Sequence, residues 1–494
     1  MTTGFVEAAR REKLKELLER GIAPFAYRFE RTATAQQAIA AYKSDDDPAR
    51  YALAGRLVAL RPHGKTTFAH LEDQSGKIQL YFKGDELGAA LYEVLGLLDL
   101  GDHVGVEGRL MKTRTGEITL RVAGFTLLAK ALRPLPLGKE DASGVKHGEL
   151  SDPELRSRQR YADLAVHPEV REVFRLRTRI VQGIRAFLDA KGYLEVETPV
   201  LQPLYGGATA WPFKTHYEAL DATFYLRIAD ELYLKRCLVG GLERVYEIGH
   251  DFRNEGLSRF HNPEFTMAEW YQAYADYNDM AALTEEMLSV LVLALFNSTE
   301  LQRHGATLSF ARPFARQDYY ALVREHAGVD LQQTTDAALR DVLKRHNAPP
   351  AEVAALSGPK LVDEVFKTCV EPKLVQPTFV FDYPLALSPL AKPKRGDPTK
   401  VERWELFVQH RELANAFSEL NDPDEQRRRF EQQAVLRAAG DAEAQQLDED
   451  FVRALEYGMP PAGGVGLGVD RLTMILADQT NIRDVILFPM LRPE

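Results

Sequence analysis

Hydrophobic and polar residues follow helical spacing at two places along this chain. Between Phe5 and Gly21, apolar residues recur every three or four positions among charges, so this segment is predicted to form an amphipathic helix that ends at the glycine. Residues 170–191 show similar spacing and are followed by Gly192, which predicts a longer helix. The next segment, YLEVETPVL, is predicted to be a strand that contains Pro199, and proline favours an edge or an interface.

Five short β-rich runs lie between residues 51 and 129 and are separated by turn residues. This arrangement predicts a small β-barrel, of which the OB-fold is one kind. Phe68, Gln79 and Tyr81 would suit a face that binds an oligonucleotide by stacking bases on aromatic rings. The two aromatic residues could equally fill the barrel, and periodicity leaves both readings open. The runs are YALAGRLVAL, TTFAHLED, KIQLYFKG, HVGVEGRLMK and EITLRVAGFTLLA.

Length and charge predict more than one domain. A chain of 494 residues is too long for one ordinary core, and residues 132–156, rich in proline, glycine and charge, are predicted to form a linker. The formal net charge is −10, with +2 on residues 1–150 and −12 on the rest. Local patches set phosphate binding, so the first third is the better face for a polyanion. The overall acidity argues against indiscriminate binding.

Cysteine content and hydropathy indicate a soluble cytoplasmic protein. Cys237 and Cys369 are the only cysteines, so neither a disulfide framework nor a thiolate zinc site is predicted. The N-terminus lacks the apolar core of a signal peptide, and no run of 18 apolar residues occurs. We therefore expect no membrane segment.

Residues 252–271, FRNEGLSRFHNPEFTMAEWY, are predicted to form two strands joined by a loop. Arg253 and Glu255 would lie on one face of an extended segment, because strand side chains alternate with period two. The loop adds His261, and Phe265 on the return strand could stack on a base. This combination suits an adenine nucleotide, whereas each residue alone would be a surface charge or ring.

Two familiar nucleotide-binding loops are excluded. A Walker loop would need glycine where Ala59 stands before Gly64-Lys65-Thr66. The glycines of GGVGLGVDR lie near the C-terminus without the βαβ context of a Rossmann loop. They are instead predicted to form a glycine-rich strand that leads into a helix, with Arg471 near the positive helix end where a phosphate would bind.

These motifs resemble the three signatures of class II aminoacyl-tRNA synthetases, and within that class the lysyl-tRNA synthetases. The resemblance covers nearly the whole length and implies an α+β protein. Residues 1–150 would form an N-terminal helix, an OB-fold anticodon-binding barrel and a linker. Residues 151–494 would form a catalytic domain built on an antiparallel sheet flanked by helices. The motifs are FRNEG with HNPEF, the segment with Pro199 after the long helix, YLRIADELYLKR, ELANAFSELNDP and GLGVDR.

The resemblance assigns roles in ATP binding. Arg253 would hold the α-phosphate, and Arg471 and His261 would face the γ-phosphate. Glu255 would read the adenine amino group, and Phe265 would stack on the base opposite Arg471. Arg253 and Arg471 are the predicted catalytic residues. Glu405 and Glu412 resemble carboxylates that bind Mg²⁺ between phosphate oxygens, although their spacing alone does not show that they converge.

The resemblance also implies a lysine pocket. A lysine ammonium stripped of water needs anions and hydrogen-bond acceptors in place of its lost shell. Asn415 and Phe417 would line the aliphatic stem, Glu269 would contact the amino end, and Gly207 and Gly466 would let the backbone approach. An aspartate pocket would instead need a cation. The residues implied to bind the ammonium are Glu231, Tyr271 and Glu419.

The implied reaction joins lysine to ATP, releases pyrophosphate, and transfers lysine to the 3′ end of tRNA(Lys). Neither step needs a protein nucleophile. The substrate carboxylate is already ionised, so the main task would be positioning it in line and neutralising charge on the phosphates. In the barrel, the anticodon-reading positions would be Arg56, Phe68, Gln79 and Glu117. The long helix and the Pro199 segment resemble the dimer motif, so a homodimer is expected.

Two other functions fit parts of this pattern. A non-catalytic tRNA-binding or regulatory protein could share the scaffold, but Arg253, Glu405, Glu412 and Arg471 are all retained. A paralog that lysylates elongation factor P would lack the barrel and carry a larger residue at Gly466. Three positions depart from the expected pattern, namely Trp211, Glu218 and Arg259.

Overall fold

The computed structural model describes residues 2–140, 146–438 and 446–493. The chain divides into two compact units. The first comprises residues 1–152 and 161–166, and the second comprises residues 153–160 and 167–494. Each unit has its own hydrophobic core.

The first unit is built around a closed barrel of five strands in the order β1-β2-β3-β5-β4. Strands β3 and β5 pair in parallel, and the other neighbours are antiparallel. Alternate residues such as Ala69, Leu71, Ile78 and Leu80 point inward and are buried. The predicted barrel is therefore confirmed. The strands are β1 (Arg50–His63), β2 (Thr66–Asp73), β3 (Gly76–Lys83), β4 (His103–Lys112) and β5 (Ile118–Ala129).

Five helices, counted over the described residues, accompany the barrel strands. Thr34 caps one of them by accepting a hydrogen bond from the Gln37 N–H, while the Gln37 side chain accepts one from the Thr34 N–H. The predicted linker of residues 132–156 contains two short paired strands, Leu137–Glu140 and Lys146–Glu149, and its residues 141–145 lie outside the described residues. The helices are Thr2–Glu19, Ala35–Ala41, Gly84–Leu87, Ala89–Leu95 and Arg160–Val166, the last of which spans the division between units.

The second unit is organised by an eight-stranded sheet, counted over the described residues, in the order β9-β10-β11-β12-β13-β8-β7-β6. The outer pairs β9/β10 and β6/β7 are parallel, and the strands between them are antiparallel. This confirms the predicted antiparallel sheet. The strands are β6 (Leu194–Glu195), β7 (Arg244–Phe252), β8 (Glu264–Ala273), β9 (Ala315–Asp318), β10 (Thr378–Phe381), β11 (Arg403–Val408), β12 (Arg411–Ser418) and β13 (Ala462–Gly468).

One face of this sheet forms the core of the second unit. Trp270 of β8, Trp404 of β11 and Leu467 of β13 are fully buried in one cluster with apolar residues of two long helices, Pro168–Ala190 and Tyr277–Phe296. The opposite face is therefore left for other side chains. The remaining helices are Pro153–Arg158, Glu231–Val239, Tyr319–Ala327, Asp336–Arg345, Pro350–Ala355, Pro359–Cys369, Pro423–Ala438, Glu449–Glu456 and Val469–Leu476.

Short elements complete the second unit, and one of them corrects a prediction. Pro199 does not lie in a strand: β6 ends at Glu195, and the next strand begins at Leu201. Proline has no N–H for a strand ladder, so pairing stops around it. Short strands span Leu201–Gln202, Lys214–Tyr217, Ala222–Leu226, Glu300–Arg303, Ala306–Ser309, Pro393–Lys394 and Asp397–Val401, and single 3₁₀ turns span Glu218–Leu220, Glu371–Lys373, Leu385–Leu387 and Ile482–Asp484.

The state of the two cysteines and the apolar character of the helices bear on the expectations from the sequence. Cys237 and Cys369 both carry free thiols. Among the described helices, none combines the length and apolar character that crossing a bilayer requires.

Candidate active site

The face of the sheet opposite the core carries most of the predicted site residues. On β8, the even-numbered residues Thr266, Ala268 and Trp270 point to the core side, so Glu269 and Tyr271 point to the other side. Residues opposite one another on paired strands share a face, which gives rows of side chains across the sheet. One row is Glu269, Gly466, Asn415 and Glu405, and the next is Tyr271, Gly464, Phe417 and Arg403.

A β-bulge brings Glu412 to the same face as Glu405. In the pairing of β11 with β12, Leu406 lies opposite Ala414 but Phe407 lies opposite Glu412, so Leu413 is an extra residue. The extra residue reverses the alternation along β12, because side chains change face at every position. The two predicted metal-binding carboxylates therefore converge, which their spacing in the sequence could not establish.

A cluster of charged side chains lies where β8, β12 and the Glu231–Val239 helix meet. Lys235 Nζ is 2.5 Å from Glu231 Oε1, forms an ion pair with Glu419, and lies 5.3 Å from the centroid of the Phe417 ring. All of these side chains except Phe417 are buried. The Tyr271 hydroxyl donates to Glu269 Oε2 at 3.1 Å. The predicted ammonium-binding carboxylates thus face an internal lysine.

Burial shifts the protonation of this cluster. It raises the pKa of Glu419 to about 8, with Lys235 lowering the value and Glu231 raising it. Burial also raises the pKa of Glu231 and, together with the charges of Asp251 and Glu231, that of Glu269. Burial lowers the pKa of Lys235, but the charges of Glu231 and Glu419 outweigh this and raise it. A buried carboxyl group of this kind loses its proton more readily when a cation lies beside it.

The glycines of β13 let this cluster pack directly against the strand backbone. A Cβ atom at Gly464 would collide with Glu419 Oε1 and the Tyr271 ring. A Cβ atom at Gly466 would lie 3.2 Å from Met267 Cε and 3.6 Å from Glu269 Oε1. Gly207 has a φ of +89°, and a Cβ there would lie 3.3 Å from that of Glu231. Backbone at these three positions thus borders the carboxylates directly.

The predicted nucleotide loop spans residues 253–263, between β7 and β8. This confirms the two strands and the loop, but the alternation argument for Arg253 and Glu255 is wrong, because β7 ends at Phe252. The Glu255 N–H donates to the Arg253 carbonyl at 2.8 Å, so the chain turns there, and Glu255 is exposed. The Arg253 guanidinium lies 5.1 Å from the centroid of the Phe265 ring.

Arg471, His261 and Glu412 come together beside this loop. Arg471 lies in the first turn of the Val469–Leu476 helix and donates to the Glu412 carbonyl at 2.8 Å and to its carboxylate at 3.1 Å. Its other terminal nitrogen is 3.4 Å from His261 Nε2. Removal from water and the charge of Arg471 lower the pKa of His261. Arg259 joins this region through its carbonyl, which accepts from the Ile482 N–H at 2.8 Å.

Glu405 and Glu412 differ in their partners and in their acidity. Glu405 receives hydrogen bonds from Arg403 at 2.5 Å and from the Tyr383 hydroxyl at 2.8 Å, and burial, with the charge of Glu412, raises its pKa to about 7. Burial raises the pKa of Glu412, but Arg471 and Arg403 outweigh it and lower the pKa overall. Among the described residues, no group of three or more His, Cys, Asp or Glu forms a complete metal cage. Two carboxylates suit Mg²⁺ that also binds phosphates and water.

Several residues of this site were missed by sequence reasoning. Lys235 stands one helical turn after Glu231, and that i,i+4 spacing was the available signal. Arg403 donates to Asn415 Oδ1 at 2.9 Å as well as to Glu405. Arg227 is buried and contacts three carboxylates at 2.6–3.4 Å, and no sequence pattern indicated this network. The three are Asp230, Glu247 and Asp251.

Two of the departures from the family pattern lie at the surface. The Trp211 side chain is about half exposed, and its carbonyl accepts from the Asn254 N–H at 2.7 Å, next to Arg253. Glu218 is exposed in a short 3₁₀ turn. Trp211 therefore borders the nucleotide loop through its backbone.

In the first unit, the outer face of β2 and β3 carries two of the four predicted anticodon residues, Phe68 and Gln79, and Glu117 directly precedes β5. Phe68 and Tyr81 lie opposite each other with ring centroids 5.0 Å apart, and both are outside the barrel core, so they do not fill the barrel. The Gln79 side chain donates to Glu117 at 2.7 Å. Arg56 instead donates to the Gly101 carbonyl at 3.1 Å. The described contacts join Gln79 to Glu117.

Comparisons with known proteins match both units. Residues 152–492 match the family described as tRNA synthetases class II (D, K and N), and residues 51–128 match the OB-fold nucleic acid binding domain. A lysine–tRNA ligase of Carboxydothermus hydrogenoformans is 51% identical over 98% of this chain and 97% of its own. The corresponding protein of Moorella thermoacetica is 51% identical over 99% and 98%. That of Halalkalibacterium halodurans is 48% identical over 98% and 96%.

Proposed function

Because the chain belongs to the class II tRNA synthetases of the lysine–tRNA ligase type, we propose that it activates L-lysine with ATP and transfers the lysyl group to tRNA(Lys). The observation that carries this is the pair of buried carboxylates, Glu231 and Glu419, on the site face of the sheet. Buried carboxylates select a substrate with a terminal ammonium, whereas the carboxylate side chain of aspartate would be repelled.

The lysine substrate lies along the site face of the sheet. Its ammonium is bound by Glu231, Glu419 and Tyr271, and its aliphatic stem runs past Phe417 and Asn415. Glu269 contacts its amino end, and the bare backbone at Gly207 and Gly466 lets it approach. The two rows of side chains across the sheet support this assignment, because they place the acidic end and the stem-lining residues on adjacent strands.

ATP occupies the side of the site that is rich in arginine. Arg253 binds the α-phosphate, and Arg471 and His261 bind the γ-phosphate. Phe265 stacks on the adenine, and Glu255 accepts a hydrogen bond from its amino group. The position of Arg253 above the Phe265 ring supports this assignment, since it places a phosphate-binding cation beside a base-stacking surface.

Glu405 and Glu412 would hold Mg²⁺, and the bound ion would supply positive charge to the phosphates. Arg403 and Tyr383 orient Glu405, and Arg471 orients Glu412, so the carboxylates are fixed before ATP arrives.

The chemistry requires orientation more than proton transfer. The lysine carboxylate is ionised at neutral pH and attacks the α-phosphorus, and the P–O bond to pyrophosphate breaks. The mixed anhydride that forms then reacts with a terminal hydroxyl of tRNA, which releases AMP. Arg253 stabilises charge on the α-phosphate in the first step.

The first unit binds the anticodon. Phe68 offers a partly exposed ring for base stacking, and Gln79 and Glu117 offer hydrogen-bonding groups. Arg56 lies at the edge of this surface. The unit at residues 1–150 thus serves recognition, and residues 151–494 serve catalysis.

The enzyme acts as a homodimer in the cytosol. Apolar residues around the end of the long helix support the dimer, because they are more than about a third exposed in one chain. Light scattering after size exclusion is expected to give twice the mass of 55.6 kDa. The exposed residues are Leu194, Val200, Leu201 and Leu204.

ATP–pyrophosphate exchange with each of the twenty amino acids tests the function. We expect exchange with lysine and none with aspartate or asparagine, followed by charging of tRNA(Lys). Binding of tRNA without any exchange would instead identify a non-catalytic synthetase-like protein. The barrel and the full-length relatives argue against a paralog that lysylates elongation factor P, and charging of tRNA rather than that protein distinguishes the two.

A further inference from the structure

Lys235 occupies an unusual place in the candidate lysine pocket. Its side chain is fully buried, and its ammonium lies between the carboxylates of Glu231 and Glu419. These are the two groups that the proposed function assigns to the ammonium of the substrate. The pocket therefore contains, within the chain itself, the same functional group that it has to recognise.

The geometry at Glu419 leaves one carboxylate oxygen available to a second cation. Lys235 contacts Glu419 Oε2, whereas Glu419 Oε1 faces the Tyr271 ring and the bare backbone of Gly464. Oε1 is buried and, among the described residues, accepts no hydrogen bond. An unpartnered buried carboxylate oxygen is costly, so it favours a ligand that donates to it.

The charges of Glu231, Glu419 and Lys235 determine how many further positive charges the cluster can accept. Glu231 and Glu419 carry two negative charges when ionised, and Lys235 cancels one of them. One substrate ammonium then makes the cluster neutral. Without Lys235, two carboxylates would share a buried site, and such pairs respond by keeping a proton on one member. A protonated carboxyl group would bind the substrate ammonium much less well.

We propose that Lys235 is a positioning residue for lysine recognition: it favours the ionised forms of Glu231 and Glu419 and orients them, so that the ionised pair lacks one positive charge and accepts one terminal ammonium. This inference rests on the proposed function and extends it. Lys235 acts through the two carboxylates and takes no part in the chemical step.

A double-mutant cycle on Lys235 and Glu231 tests this role. Lys235→Met keeps most of the length of the side chain and removes its charge, and we expect it to raise the KM for lysine at least tenfold at pH 7. The KM for ATP should stay within about twofold. Lys235→Met with Glu231→Gln restores the charge balance of the wild type, so its KM for lysine should not exceed that of Glu231→Gln alone.

The chain offers a matched control. Lys400 also pairs with a carboxylate, Asp318 at 3.2 Å, and lies 4.3 Å from the centroid of the Tyr320 ring, outside the candidate site. Lys400→Met is expected to leave the KM for lysine unchanged. It shows what loss of a partly buried lysine does to the protein in general.

Three outcomes would overturn the proposal. The first is an unchanged KM for lysine in Lys235→Met, and the second is an equal rise in the KM values for lysine and ATP, which indicates a purely structural ion pair. The third is a further tenfold rise in the double variant over Glu231→Gln, since independent effects multiply. This last comparison applies even if Lys235→Met alone is too unstable to assay. Failure of the wild-type protein to exchange pyrophosphate with lysine would refute the proposed function itself.

Discussion

Arg253 combines two kinds of contact that bear on its role in the first chemical step. Its guanidinium lies over the Phe265 ring, and its Nε approaches the Ile228 carbonyl at 3.4 Å. These contacts hold the side chain at the mouth of the loop without pairing it fully to a carboxylate. A cation held in this way is ready to bind phosphate oxygens when ATP arrives.

We predict that Arg253→Ala lowers lysine-dependent pyrophosphate exchange by about 10²- to 10³-fold, because it removes a donor to charge that grows in the transition state. The midpoint of thermal unfolding should not change. Arg316→Ala is the matched control. The Arg316 guanidinium also lies over phenylalanine rings, 5.6 and 5.9 Å from their centroids, but Arg316 is an exposed residue away from the site. Unchanged exchange in Arg253→Ala would contradict the assignment.

Glu419 predicts a pH dependence for lysine binding. Its pKa of about 8 means that the carboxyl group is mostly protonated at pH 7 in the free protein. Lysine is expected to bind the ionised form, so its KM should fall as the pH rises through 8, by about 25-fold between pH 6.5 and 8.5. The charged and titratable groups around it are Lys235, Glu231, Tyr271, Glu269 and Arg403.

Glu419→Gln provides the comparison for this pH profile. It cannot ionise, so its KM for lysine should be high and nearly independent of pH over the same range. The KM for ATP, measured in parallel, should show no step near pH 8 in either protein. A wild-type profile as flat as that of Glu419→Gln would remove Glu419 from the lysine site.

At the level of residues, the sequence predicted which side chains could bind a ligand more readily than it predicted which side chains contact one another. Arg253 and Phe265 stand in one short motif, so their closeness could be predicted. Lys235 and Glu419 are 184 positions apart in the sequence, and only the pairing of β12 with β13, together with the packing of the Glu231–Val239 helix, joins them. Neither side chain carries a local signal of that contact.

Among the elements, strand β13 has the largest effect on the site. Gly464, Gly466 and Gly468 lie on its site face, while Val465 and Leu467 fill the core. The three glycines differ in what a methyl group would meet. At Gly464 it meets Glu419 and the Tyr271 ring, at Gly466 it meets the flexible end of Met267, and at Gly468 it meets Arg471 at ordinary contact distances of 3.7–3.8 Å.

We therefore predict a graded alanine series along β13. Gly464→Ala should lower kcat/KM for lysine by about 10²-fold, because it displaces the carboxylate and the ring by about 1 Å or more. Gly466→Ala should have a smaller effect, since Met267 can move. Gly468→Ala is the control for the strand and should leave the KM for lysine unchanged. Equal effects at all three positions would indicate general damage to the strand instead.

The elements themselves were largely predictable, but their irregularities were not. All five barrel runs and the glycine-rich strand appear where alternation and turn residues predicted them. The extra residue at Leu413 could not be predicted, because an apolar residue between Glu412 and Ala414 has no distinctive pattern. Residues 193–201 were predicted as one strand because the apolar run continues, yet Pro199 interrupts the pairing.

On the scale of the whole molecule, two units with separate cores divide recognition from chemistry. Phe68 lies on the outer face of the barrel unit, and the site residues lie on the sheet of the other unit. Under the proposed function, pyrophosphate exchange would need only the second unit, whereas charging of tRNA would need both. A change confined to the barrel should therefore affect one reaction and spare the other.

We predict that Phe68→Ala lowers kcat/KM for tRNA(Lys) by about tenfold, since stacking of one base on an aromatic ring contributes about 1–3 kcal/mol. Exchange of pyrophosphate in the absence of tRNA should be unchanged. Tyr27→Ala removes a fully exposed ring of the same unit that lies outside the barrel strands, so it is the control. Equal losses in exchange and charging for Phe68→Ala would show that the barrel change disturbs the catalytic unit.

The glycine strand β13 also limits how the specificity of this pocket can evolve. The backbone of β13 forms the floor of the pocket, so a substitution at one of its glycines can add side-chain atoms but can remove none. Mutation in this strand can only make the pocket shallower and exclude longer substrates. A change towards a larger amino acid must come from the neighbouring strands, where Phe417, Glu269 and Tyr271 can be shortened.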